Sequence, residues 1–222
     1  MDKFFFHKEN SVINEKLINS LLDRFDNIFN RDDYKTDHQN TRELNNESIS
    51  KEPLFQSLLN QIHKKFETIT NTPDLKFNKL WLVYSQSSSG DKSKLPYIPH
   101  IDKSRYLKAM IYLNDVSINN GPIHLGKVKD NIDIENIRIN LPHNYKLKNL
   151  NVINDKNLEK DLTPMIGKAG DVIFFDTNTP HKAGNISEGY YRKVLRFDFE
   201  RPSFPYKKNL LEKLFNKLRF DF

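Results

Sequence analysis

Residues 170–181 read Gly-Asp-Val-Ile-Phe-Phe-Asp-Thr-Asn-Thr-Pro-His. Gly170-Asp171 makes a turn, Val172 to Phe175 is a short apolar strand, and His181 stands just beyond it. Upstream, His100-Ile101-Asp102 places an imidazole and a carboxylate two positions apart. On an extended chain both side chains leave the same face and can meet one ion. Downstream, Arg192 heads the run Arg192-Lys193-Val194-Leu195-Arg196-Phe197, and in a regular strand Arg196 shares its face.

Further strands are expected over Phe77 to Gln86, Leu107 to Leu113 and Tyr191 to Phe199, with a less regular set between Ile132 and Ile153. Short strands separated by Gly, Pro, Asn and Asp indicate a jelly roll or barrel, mainly β, rather than a parallel sheet with crossover helices. Ahead of them, Phe4 to His7 reads as a short strand. A helix should follow Ser11 and run to about Phe29, with Ile13, Leu17, Leu21, Phe25 and Ile28 at three- and four-residue intervals. Residues 30–49 are polar and turn-like. A second helix is expected from Pro53 to Ile69, lined by Leu54, Leu58, Ile62, Phe66 and Ile69.

The chain has 222 residues, the size of one domain. It divides into a mostly helical flank (1–75), a jelly-roll core (76–200) with a variable insert (126–164), and a C-terminal extension (201–222). The insert is rich in Lys and Asn and long for a simple connection, so it should hold extra strands or a flap over the pocket.

Composition excludes several classes. Cysteine is absent, which removes disulfides, Fe–S clusters and thiolate metal sites and fits a reducing, cytoplasmic setting. No apolar run is long enough to cross a bilayer, and the start, MDKFFFHKEN, lacks the small-residue cleavage site of a signal peptide. There is no glycine-rich nucleotide loop. The net charge of +6 suits an anionic small molecule, but the charges are spread out and form no basic stripe of the kind that binds nucleic acid.

A third ligand at His181 would complete a two-His, one-carboxylate set with open positions, as non-haem iron oxygenases require. Structural zinc would be closed by four protein ligands, usually with thiolates. Arg192 offers a planar fork that can grip a carboxylate inside a barrel, although alone it also reads as a surface strand residue.

Four pieces in order resemble the iron(II)- and 2-oxoglutarate-dependent oxygenases, most closely the phytanoyl-CoA dioxygenase-like branch. They are His100-Ile101-Asp102; Ala109 to Asp115 with Asn120-Gly121-Pro122; Gly170 to Phe175 leading to His181; and Asn185-Ile186-Ser187 followed by Arg192. The resemblance implies a double-stranded β-helix (cupin-like) with helices outside it. It also implies His100, Asp102 and His181 as Fe(II) ligands, and Arg192 as partner of the distal carboxylate of 2-oxoglutarate. The expected reaction consumes dioxygen, releases succinate and CO2, and hydroxylates a small molecule. After Asn-Gly-Pro the chain departs from the branch's usual Pro-Gly-Ser-His-like segment, reading Ile123-His124-Leu125-Gly126-Lys127, which leaves the substrate class open.

Lys108, Met110 and Tyr112 share one strand face, and Lys108 or Tyr112 could donate to a cosubstrate carboxylate. Tyr84, Tyr97, His124 and Arg196 are further pocket candidates. Competing readings are a cupin-like isomerase or lyase, a binding module without turnover, and, behind these, a nucleic-acid-interacting protein.

Overall fold

The computed structural model describes residues 6–29, 39–87, 96–102, 105–127 and 161–200. Helix α1 (Glu15–Ile28) starts where the Asn14 side chain accepts from the Leu17 backbone N–H at 3.0 Å. Ser11, the expected start, lies at φ 53 and belongs to the turn before it. Helix α3 (Pro53–Thr70) begins on Pro53 and stops at Asn71, whose left-handed backbone turns the chain away. The two helices bury Ile18, Leu21 and Phe25, and Phe55, Leu58, Ile62 and Phe66.

Those faces cover a six-stranded antiparallel sheet of order β1-β7-β4-β9-β3-β2. Its members are β1 (Phe6–Glu9), β2 (Gln39–Leu44), β3 (Lys76–Gln86), β4 (Leu107–Tyr112), β7 (Val172–Asp176) and β9 (Tyr191–Glu200). Alternation along each strand divides the side chains between two cores. Leu80, Leu82, Leu107, Ala109, Ile111, Phe174, Leu195, Phe197 and Phe199 pack with the helices, where Phe66 meets Phe174 and Phe199 edge-on at 5.0 and 5.5 Å.

The opposite face supplies Val83, Met110, Tyr112, Ile173, Phe175 and Val194 to a second core. It is closed by a three-stranded sheet, β6-β5-β8, made of β5 (Ile123–Leu125), β6 (Thr163–Pro164) and β8 (His181–Ala183). Two antiparallel sheets enclosing an interior, with helices outside one of them, make the jelly roll expected of the sequence.

Residues 39–50 correct the polar, turn-like reading of 30–49. Gln39–Leu44 forms the edge strand β2 and Asn46–Ser50 the short helix α2. The sequence Gln-Asn-Thr-Arg-Glu-Leu has no apolar alternation because backbone pairing to β3 holds it at the sheet edge. The flank is therefore less purely helical than expected. The strands expected between Ile132 and Ile153, most of the 126–164 insert and the 201–222 extension lie outside the described residues. Among the described residues, no helix is long and apolar enough to cross a membrane.

Candidate metal centre

His100 and His181 face each other across an antiparallel bridge. Each backbone N–H donates to the other's carbonyl at 2.9 Å, and the rings lie 4.3 Å apart between centroids. His181 also opens β8, paired with Leu125 of β5. Asp102 follows two residues after His100, its N–H directed at the Thr177 carbonyl at 3.4 Å.

The turn carrying Thr177 is heavily tied. Arg105 donates to Asp176 Oδ2 at 2.9 and 2.7 Å, and Asn178 N–H donates to Asp176 Oδ1 at 2.9 Å. Thr177 N–H donates to the Tyr106 carbonyl at 3.0 Å, while its Oγ1 accepts from Tyr106 N–H at 2.9 Å. Both ligand-bearing segments are thus fixed to one turn.

His100 Nδ1 lies 2.8 Å from the Ile98 carbonyl and His181 Nδ1 2.8 Å from that of Thr179. A carbonyl can only accept, so both rings carry the proton on Nδ1 and present a bare Nε2. Ligand atoms of His100, Asp102 and His181 all fall within 4.8 Å of one another, and His181 Nε2 is 3.8 Å from Asp102 Oδ1. A first-row dication holds such donors at about 2.0–2.2 Å, so a small closing movement seats one.

Both imidazoles are 5–6% exposed. Burial pushes His100 below the ordinary histidine range. Burial, reinforced by the neighbouring His100, takes His181 down to about 3. Burial opposes ionisation of Asp102 as well, but the Lys108 ammonium overcomes it and holds the carboxyl well below the usual carboxylate range. Two neutral imidazoles and one carboxylate are the protonation states a metal needs.

Arg192 lies on the interior face of β9, 6% exposed. Its Nη1 donates to the Gly121 carbonyl, while Nε has no hydrogen-bond partner among the described residues. Burial lowers its pKa, with the Tyr112 and Tyr97 phenols acting against that shift. Among the described residues no carboxylate is paired with this guanidinium.

The remaining candidates separate. Lys108, read as a cosubstrate donor, instead pairs with Asp102 Oδ2 at 2.6 Å. Tyr112, read the same way, donates its hydroxyl to the Met165 carbonyl at 2.7 Å. Tyr97 is brought near Arg192. Arg196 is interior as expected, but it binds Asp198 at 3.0 and 3.1 Å and lies 5.1 Å over the Trp81 ring. His124 alternates with the buried Ile123 and Leu125, and its Nδ1 lies 3.1 Å from the Pro122 carbonyl. Tyr84 does not reach the interior. It packs on the helix side and stacks on Tyr191 at 6.1 Å, because strand alternation puts it opposite Trp81 and Val83. Sequence reasoning missed Arg105 and Asp176, whose partnership no spacing rule signals.

A jelly roll with an open His-Asp-His set inside it defines a class, the iron(II)- and 2-oxoglutarate-dependent oxygenases. The phytanoyl-CoA dioxygenase (PhyH) family model matches residues 4–194, and the chain belongs to that family.

Several solved structures share the fold. The non-haem α-ketoglutarate-dependent epimerase SnoN of nogalamycin biosynthesis superposes with a TM-score of 0.63 at 14% identity, covering 89% of this chain and 78% of its own. HygX from Streptomyces hygroscopicus, with nickel and 2-oxoglutarate bound, gives 0.60 at 14%, covering 91% and 85%. EvdO2 from Micromonospora carbonacea var. aurantiaca gives 0.62 at 15%, covering 88% and 86%. No curated protein sequence matches the chain.

Proposed function

We propose that this oxygenase binds iron(II) through His100 Nε2, Asp102 Oδ1 and His181 Nε2, grips 2-oxoglutarate with Arg192, and hydroxylates a small molecule. The observation that carries the reading is the buried, unpartnered Nε of Arg192 in the same interior as the triad. A buried guanidinium without a carboxylate is costly, and an anionic ligand presented to its fork removes that cost. The donor set fits the metal too: both imidazoles are neutral, Nδ1 is occupied by a carbonyl in each, and among the described residues three ligand atoms converge.

When bound together, iron(II) and 2-oxoglutarate supply the activation of dioxygen, with the cosubstrate decarboxylated to succinate and CO2 and a substrate C–H bond oxidised. The chain's own contribution is positional. Arg192, anchored on Gly121, orients the distal carboxylate, with Tyr97 and Tyr112 beside it. Val83, Met110, Ile123, Leu125, Phe175 and Val194 line the interior with apolar surface that excludes water.

Net charge suggested an anionic substrate. Near the triad, however, Lys108 and Arg196 are each matched by a carboxylate, so those two cations give that suggestion no support.

The test is anaerobic titration of 2-oxoglutarate into the iron(II)-loaded protein, followed by admission of air. Saturable binding with a visible charge-transfer band, then succinate, is expected. An iron complex that ignores 2-oxoglutarate would return the chain to the cupin-like isomerases and lyases.

A further inference from the structure

Lys108 presents a physical puzzle. It is the second residue of β4, 6% exposed, on the interior face. An ammonium there is expensive to bury and would repel a dication bound a short distance away. Its position relative to the two oxygens of Asp102 gives it a use. Nζ donates to Oδ2 at 2.6 Å, while Oδ1 is the oxygen turned to His181 Nε2, at 3.8 Å. One oxygen is engaged by the ammonium and the other faces His181.

The side chain is also confined. The Tyr106 and Phe175 rings lie 4.9 and 5.5 Å from Nζ, where their faces attract the cation and limit its swing. Chelation of an ion by both carboxylate oxygens would pull Oδ2 off Nζ and leave a buried ammonium without its anion.

We propose that Lys108 is a positioning residue that restricts Asp102 to one-oxygen metal binding and so keeps open the coordination position that a second oxygen would fill. This rests on the reading of the triad as an iron site for 2-oxoglutarate and dioxygen. The cosubstrate chelates through two atoms and dioxygen needs a third position, so loss of one vacancy bears directly on cosubstrate binding. The lysine thus acts on 2-oxoglutarate through Asp102, without touching it.

The test uses cobalt(II) in place of iron, because its visible spectrum reports coordination number without turnover. Wild-type protein and K108M, which keeps the side-chain length and loses the donor, are loaded with cobalt and titrated with 2-oxoglutarate by calorimetry. K108M should retain cobalt, show an altered spectrum before 2-oxoglutarate is added, and bind 2-oxoglutarate at least about 10-fold more weakly, a loss of about 1.4 kcal/mol. K108R, which keeps a charged donor, should recover the wild-type spectrum. If K108M does not fold by its melting curve, K108L, which also lacks a donor, replaces it under the same outcomes.

Wild-type spectrum and 2-oxoglutarate affinity in the donor-free variant would overturn the proposal. So would weakened cobalt binding with unchanged 2-oxoglutarate affinity in the loaded fraction, which would make Lys108 a simple support for the ligand. Failure of the wild-type protein to bind cobalt would instead overturn the metal site itself and the proposal with it.

Discussion

The Arg192 guanidinium is anchored at one corner, by the carbonyl of Gly121 from a turn 71 residues earlier, and its Nε meets no partner among the described residues. A group held on one side and unsatisfied on the other is ready for a ligand that completes it. R192A should therefore lose about 2–5 kcal/mol of 2-oxoglutarate affinity, roughly 30- to several-thousand-fold. R192K, which keeps the charge without the planar fork, should fall between R192A and wild type. Iron affinity should barely move. Two calorimetric titrations per variant, iron and then 2-oxoglutarate under anaerobic conditions, decide it; wild-type affinity in R192A would move the role to Arg196.

The carbonyl itself depends on a glycine. Gly121 has φ +65, and a Cβ there would come within 2.5 Å of Ile186 Cγ1 and 2.6 Å of the Gly184 carbonyl. The left-handed backbone alone makes G121A about 1–2 kcal/mol less stable, and the close backbone contact adds to that. Because any shift of this turn displaces the Arg192 anchor, G121A should also weaken 2-oxoglutarate binding. Denaturant melts alongside the anaerobic titration measure both, and a G121A protein equal to wild type in each would disconnect the turn from the arginine.

Replacing His100, Asp102 or His181 by Ala should weaken metal binding by more than the roughly 10- to 100-fold that outer-partner loss costs. The fold should persist, since the apolar cores are built from other residues. Calorimetric metal titration of each folded variant is the check, and three unchanged affinities would dispose of the site.

Acid should destabilise the metal-free protein through its buried imidazoles. An unfolded histidine titrates near 6.5, whereas His181 in the fold is down at about 3, with burial the main cause. Between those values the unfolded chain binds the extra proton, so stability is complete above about pH 6.5 and declines as pH falls. The slope approaches 1.4 kcal/mol per pH unit from this residue, about one proton's worth. His100 adds in the same direction. H181N should flatten the profile. Chelator-treated wild type and H181N, melted at intervals from pH 7 to pH 5, provide the comparison, and parallel profiles would contradict it.

Much of this was legible from residue order. Val172 to Phe175 and the turn at Gly170-Asp171 identified a buried strand because an apolar run between turn residues has few other uses, and His100-x-Asp102 followed by His181 carried the donor set. β5, β6 and β8 escaped notice because strands of two or three residues show no period. β2 shows no apolar alternation because, as an edge strand, it is held mainly by backbone pairing to β3. Tyr84 was misplaced because an aromatic on a strand next to the site has even odds of facing either way, and only register decides. Strand alternation puts Lys108 on the interior face, but the six-residue spacing to Asp102 says nothing about whether the two side chains meet.

The mutual backbone bridge between His100 and His181 has a thermodynamic corollary. These two residues come from distant parts of the chain and meet only when the segment carrying His100 has paired with the start of β8, so an unfolded chain offers no comparable donor set. Metal loading and folding are then linked equilibria. An ion at about a hundredfold excess over its Kd adds about 2.7 kcal/mol to the native state, a sizeable share of what holds a domain of this size together. Iron supply would accordingly govern how long the polypeptide survives proteolysis as well as how fast it works.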